Sequence, residues 1–266
     1  MRRTLEIAKI TFKQALRERS FYIILVLLLL AMIGMPVLYS FTMFEIPRIL
    51  TGFALSFANF VVLVLMLFLI LGLIQTDLER KTLQYVISLP IKRKDYVIGR
   101  YLGFLAFSAF LVYLVLFLLF PFIYYFSRLR PDAPFYAGYY FLYGIFLLVE
   151  IQILVAFALL FISLTSRAIV SMFGVVGVYV AGHTIDEVAE FLRTRMGVQM
   201  PVFSKVVINV ARYLFPNLAL FDVKTNFIYN VGINPAFLIF SVIYGILYGI
   251  IVLGIAVVLF ERKEIL

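Results

Sequence analysis

The sequence predicts an all-α integral membrane protein: six transmembrane helices behind an N-terminal amphipathic interfacial helix, with both termini cytoplasmic. Three observations predict it. The 266-residue chain is 65% hydrophobic and only 14% charged, with a mean hydropathy of +1.10, far outside the range of soluble globular domains. Uncharged runs recur that are long enough to cross a hydrocarbon core of ~30 Å, which takes about 20 residues at ~1.5 Å each. The Lys and Arg residues fall between those runs and are weighted toward alternate connections.

Residues 1–20 come first. Leu5, Ala8, Phe12, Ala15 and Leu16 recur at helical spacing, and Arg3, Lys9, Lys13 and Arg17 are left for other faces. An arm lying in the membrane interface follows, with a generic anchor on anionic lipid as the plainer reading. The first apolar run, 21–41, follows this basic segment as a signal peptide would, but it is too long and lacks a small-x-small cleavage site. It is expected to be a retained span.

The second, third, fourth and sixth spans are expected over 49–74, 101–126, 138–164 and 236–260, the fourth interrupted near its middle by Glu150 and Gln152. The fifth is the shortest, because the uncharged run 168–182 contains Gly174, Gly177 and Gly182. It is expected to continue as helix into "HTIDEVAEFL", tilted or packed against neighbours. With the N-terminus inside, the cytoplasmic segments hold the larger part of the 23 Lys and Arg residues, including Arg80, Lys81, Lys92, Arg93, Lys94, Arg100, Arg167, Arg262 and Lys263. Residues 183–235 then form an extracytoplasmic loop. Its apolar pieces are too short to cross, so they should be short helices divided by Pro201, Pro216 and Pro235, dipping into the outer leaflet or capping the bundle.

Residues 75–100 form the long polar interruption on the cytoplasmic side. Thr76 followed three residues later by Glu79 has capping-box spacing and predicts a helix beginning there. Leu78, Thr82, Tyr85, Val86 and Leu89 would share one face, Glu79, Arg80, Lys81 and Gln84 would stay polar, and Pro90 would end the helix. Connections in helical bundles are usually shorter than this. Two readings stand: a positive-inside topogenic signal resting on headgroups, or a docking element through which a cytoplasmic partner moves the spans.

Taken together, "ALRERSFYIILV" before the first span and "ERKTLQYVISLPIKRKDYVIGRYLG" after the second resemble the type-2 ABC transporter permease family, the membrane subunits of ATP-driven exporters. The residues that carry the likeness are Glu79, Thr82, Ser88, Pro90, Arg93, Tyr96, Gly99 and Arg100. "YLFPNLALFD" and "LFERKE" are similar to the family's later segments, so the likeness covers nearly the whole chain. The resemblance implies a single permease domain over residues 1–266 in the cell (inner) membrane, paired as a homodimer or pseudo-dimer. It implies two copies of a separate ABC ATPase subunit that bind ATP and Mg, a coupling role for Glu79, Thr82, Ser88, Pro90 and Arg93, and a connecting role for the N-terminal arm.

The chain itself contains no G-x-x-x-x-G-K-[ST] and no Gly-Lys pair, so it has no P-loop with which to cradle phosphates, and no cofactor is expected on it. It is not expected to be an enzyme: it has no Cys, and its one His has no Ser/Asp constellation around it. The basic excess forms no stripe in a soluble domain, which argues against nucleic acid as a partner and leaves the lipid membrane.

Glu150, Gln152 and Asn59 are polar at membrane depth. They are candidates for a translocation path or subunit interface, against the plainer reading of hydrogen-bonded structural groups. An ion-coupled secondary transporter using Glu150 is the alternative function, although no internal repeat of the kind such carriers show is evident. His183, Glu187 and Glu190 fall on one helix face, expected to be a solvated membrane edge rather than a metal site. Gly99-x-x-x-Gly103 and Gly245-x-x-x-Gly249 are small-residue stripes, suited to dimer contact or to packing within the chain.

Overall fold

In hydrocarbon a continuous apolar segment can satisfy its own backbone only as a helix, and the chain does so repeatedly. A computed structural model describes residues 2–79, 92–165, 168–191, 201–232 and 234–262. In chain order the helices are α1 (Arg2–Arg17), α2 (Arg19–Phe41), α3 (Ile46–Glu79), α4 (Arg93–Leu129), α5 (Ala137–Thr165), α6 (Ala168–Phe191), α7 (Val202–Leu214), α8 (Lys224–Tyr229) and α9 (Pro235–Arg262), with a 3-10 turn at Leu218–Phe221. Among the described residues there is no strand. Among the described residues six helices, α2 to α6 and α9, are long and apolar enough to cross a membrane, and the chain is a multi-pass membrane protein.

One boundary differs from that read in the sequence. Thr76 does not open a helix, because α3 runs through it to Glu79. An unbroken helix already satisfies the N–H groups a capping box would serve, and Leu73, Ile74 and Leu78 keep its apolar spacing through this stretch. The expected continuation of the fifth span past Gly182 is present, with α6 running on to Phe191. The three prolines act as expected: Pro201 caps α7, Pro216 separates α7 from the 3-10 turn, and Pro235 opens α9.

α5 is the hub. Its apolar window is 72% buried, against 22% for each of α2, α6 and α9, and it packs on α3, α4, α6 and α9. The closest of these contacts depends on missing side chains. A Cβ at Gly245 would collide with Val149, and one at Gly249 would lie 2.7 Å from Gln152 Nε2, so α9 lies directly on α5. The second stripe does the same for the arm. A Cβ at Gly99 would lie 2.7 Å from Ile7 Cβ, and one at Gly103 would lie 2.8 Å from the Ala8 carbonyl, so α1 is seated on the first turns of α4. Both stripes, open in sequence between dimer contact and internal packing, are filled within the chain.

At the opposite end, α7 is tied to its neighbours by polar bonds. Arg212 Nε donates to Asp186 of α6 at 2.8 Å, and Tyr248 of α9 donates to the Leu214 carbonyl at 2.7 Å. Its apolar side chains Phe203, Val206, Val210, Tyr213 and Leu214 are exposed.

Candidate functional site

Arg100 is the only Lys or Arg side chain buried among the described residues, at 4% exposure, and it lies where α4 meets α1. Its Nη1 donates to Gln14 Oε1 at 2.6 Å and to Thr11 Oγ1 at 3.2 Å, both on α1. Its guanidinium lies 5.6 Å from the centre of the Tyr96 ring, one turn earlier on α4. Thr11 donates in turn to the Ile7 carbonyl at 2.9 Å, so its hydroxyl is held with a lone pair free for Arg100. Tyr96 also stacks on Phe260 near the end of α9, with centroids 5.9 Å apart, and Arg93 Nη1 donates to the Glu261 carbonyl at 3.1 Å. The Arg93, Tyr96, Gly99 and Arg100 of the resemblance therefore form one junction that ties α4 to both α1 and α9.

Of the other proposed coupling residues, Glu79 ends α3. Thr82, Ser88 and Pro90, with the amphipathic helix expected around them, lie outside the described residues.

The second cluster lies at the middle of the bundle. Asn59, Glu150 and Gln152 are all buried, as the sequence requires of polar groups at that depth. They do not form one patch. Residues seven apart on a helix share a face and residues two apart do not. Tyr143 therefore stands beneath Glu150, while Gln152 points away toward Gly249 of α9. Asn59 of α3 joins the first face by donating from Nδ2 to the Tyr143 hydroxyl at 2.9 Å. On the same face Glu150 Oε1, in a side chain only 1% exposed, lies 3.5 Å from His183 Nε2 of α6. That approach does not complete a hydrogen bond, and Oε1 is left buried without one.

His183 is thus placed differently from the solvated edge expected of it. Its ring packs against Tyr179 at 4.5 Å between centroids, and Nδ1 lies 3.2 Å from the Tyr179 carbonyl. Glu187 and Glu190 remain exposed. The extension of α6 explains the difference: a helix continuing past Gly182 turns His183 back to the bundle while the two later acids face out. Asp222 and Lys224, 3.3 Å apart between the 3-10 turn and α8, are close enough to act electrostatically on Glu150 and His183.

Sequence reasoning did not foresee Thr11, Gln14 or Tyr143, nor the contact of His183 with Glu150. A signal for the last was available. α5 and α6 are consecutive antiparallel helices, and Glu150 stands as far before their connection as His183 stands after it, which puts the two at one level. No family model matches the chain, and no curated protein is significantly similar to it.

Proposed function

We propose that the chain is the permease subunit of an ATP-driven ABC exporter in the cell (inner) membrane, coupling ATP hydrolysis by a separate subunit to substrate translocation. In this reading both termini and residues 75–100 face the cytoplasm, α1 lies along the membrane interface, and the residues between α6 and α9 lie on the outer side with the apolar face of α7 in the leaflet. The subunit works as a homodimer or pseudo-dimer with two ATPase copies, which hold ATP and Mg.

The supporting observation is the Arg100 junction. A force applied to residues 80–91 enters α4 at Arg93. Within the first turns of α4 it meets bonds to α9 through Arg93 and Tyr96, and to α1 through Gly99, Arg100 and Gly103. A connection that only reversed the chain would need no such joint at its exit. The substrate would move as these helices reorient together between inward-open and outward-open or closed states.

Gentle solubilisation of native membranes tests the reading: a Walker-motif ATPase should copurify. Glu79→Ala, or deletion of residues 82–90, should lower the ATPase activity that this partner shows in the complex severalfold while leaving membrane insertion intact. The pairing of Glu150 with His183 favours one alternative, an ion-coupled carrier. Flux driven by a proton gradient with no ATPase present would establish that alternative and remove the first.

A further inference from the structure

The hydrogen-bond roles at His183 specify what its contact with Glu150 lacks. A carbonyl oxygen only accepts, so the Nδ1 that faces the Tyr179 carbonyl must carry the proton of a neutral ring. Nε2 then turns a lone pair toward Glu150 Oε1, itself an acceptor when ionised, across 3.5 Å in a site where Glu150 is 1% exposed. Two acceptors facing each other in a buried site repel unless a proton lies between them. One proton resolves the contact, either on the carboxyl, donating to Nε2, or on the ring, making an ion pair.

Among the described residues, the groups around the pair do not resolve it otherwise. On α5 and α6 the titratable neighbours are the phenols of Tyr143 and Tyr179, and α3 presents the neutral Asn59 through Tyr143. Asp222 and Lys224, before and at the start of α8, offset each other's charge. α4 meets α5 along the Tyr140 and Gly144 face, where Tyr140 donates to the Leu116 carbonyl, and α9 meets it at Val149 and Gln152. The charge of Glu150 is thus balanced by its own proton or by one on His183.

We propose that Glu150 and His183 form a one-proton binding site that latches α6 onto α5, and that loss of the proton releases α6. His183, 23% exposed, is the port through which the proton enters and leaves. Release falls on α6 because its apolar window is 22% buried, whereas that of α5 is 72% buried and held on four sides. Deprotonation leaves a buried carboxylate facing a lone pair, a cost relieved when α6 moves away or water enters.

The natural absence of cysteine makes the test direct. Gly138, where an added Cβ meets nothing, and the exposed Glu187 lie toward the same end of α5 and α6. Spin labels on Gly138→Cys and Glu187→Cys in the full-length protein in lipid nanodiscs should report a short-distance population at about pH 5 that gives way to a longer one by about pH 9. The ratio of the two should change by up to about tenfold per pH unit, the limit for a single proton. Glu150→Gln, whose amide donates to Nε2 as a protonated carboxyl would, should stay short throughout. His183→Gln, whose amide donates to the carboxylate, should also lose the pH response, and it serves if the first variant does not fold. A distance distribution independent of pH in the labelled parent overturns the proposal. So does a response that persists in either folded variant, or one that follows sodium concentration at fixed pH. No ATPase or substrate is present in this measurement, so its outcome is independent of the export reading.

Discussion

Arg100 shows how neutral groups on a neighbouring helix help to keep a charge buried at a helix junction. Gln14 and Thr11 accept from Nη1, and the Tyr96 ring lies beside the guanidinium, so neutral oxygens and a π face contribute to offsetting its desolvation. Hydrogen bonds to charged groups contribute about 1.5–3 kcal/mol each. Gln14→Leu should therefore lower stability by about 2 kcal/mol, since it strips the shorter of these two bonds from a buried cation. Arg100→Leu removes donor and charge together and should lower stability through the Thr11 and Gln14 oxygens it leaves unpaired. In the double variant the two effects should be clearly less than additive, because the buried cation that makes the Gln14 loss costly is gone. Denaturation midpoints of the four proteins in one detergent form the cycle, and additive losses would refute the coupling. Arg100→Lys should fall between, keeping the charge but losing the fork that reaches both Thr11 and Gln14.

At the scale of elements, closeness of approach governs which helices move together. Gly103→Val would force a branched side chain into Thr11 and the Ala8 carbonyl, pushing α1 off α4, whereas Gly138→Val meets open space. The first should expose α1 to limited proteolysis many times faster than in the parent, and the second should not change it. Equal cleavage in the two would mean that the stripe does not hold α1. The spans were legible from uncharged runs, and the reach of α6 past Gly182 was legible because "IDEVAEF" keeps helical apolar spacing. The helix start at Thr76 was misread because capping-box spacing also occurs inside helices, where the backbone has no free N–H to serve. The placement of His183 was misread for another reason: spacing along one helix groups it with Glu187 and Glu190, while only the register between α5 and α6 pairs it with Glu150. Which of the two uses a GxxxG stripe serves is likewise a property of the neighbour, and a single sequence does not contain it.

For the molecule as a whole, the two readings of the N-terminal arm now separate. A lipid anchor needs an apolar face and a basic face in any arrangement. A joint needs the particular face that meets α4: Ile7 and Ala8 against Gly99 and Gly103, and Thr11 and Gln14 against Arg100. Replacing residues 2–17 with an unrelated basic amphipathic helix of the same length keeps the first property and destroys the second. If α1 is only an anchor, the replaced protein should match the parent in stability and in the activity of the proposed ATPase partner. The geometry of the junction leads to the opposite expectation. The protein should insert normally, unfold several degrees lower because Arg100 is left buried without Gln14 and Thr11, and lose most of the partner's coupled activity. Restoring the native residues at positions 7, 8, 11 and 14 of the foreign helix, as Ile, Ala, Thr and Gln, should recover both. Stability and activity have to return together, since a return of activity without stability would place the role of α1 at the lipid surface and not at the junction of α1, α4 and α9.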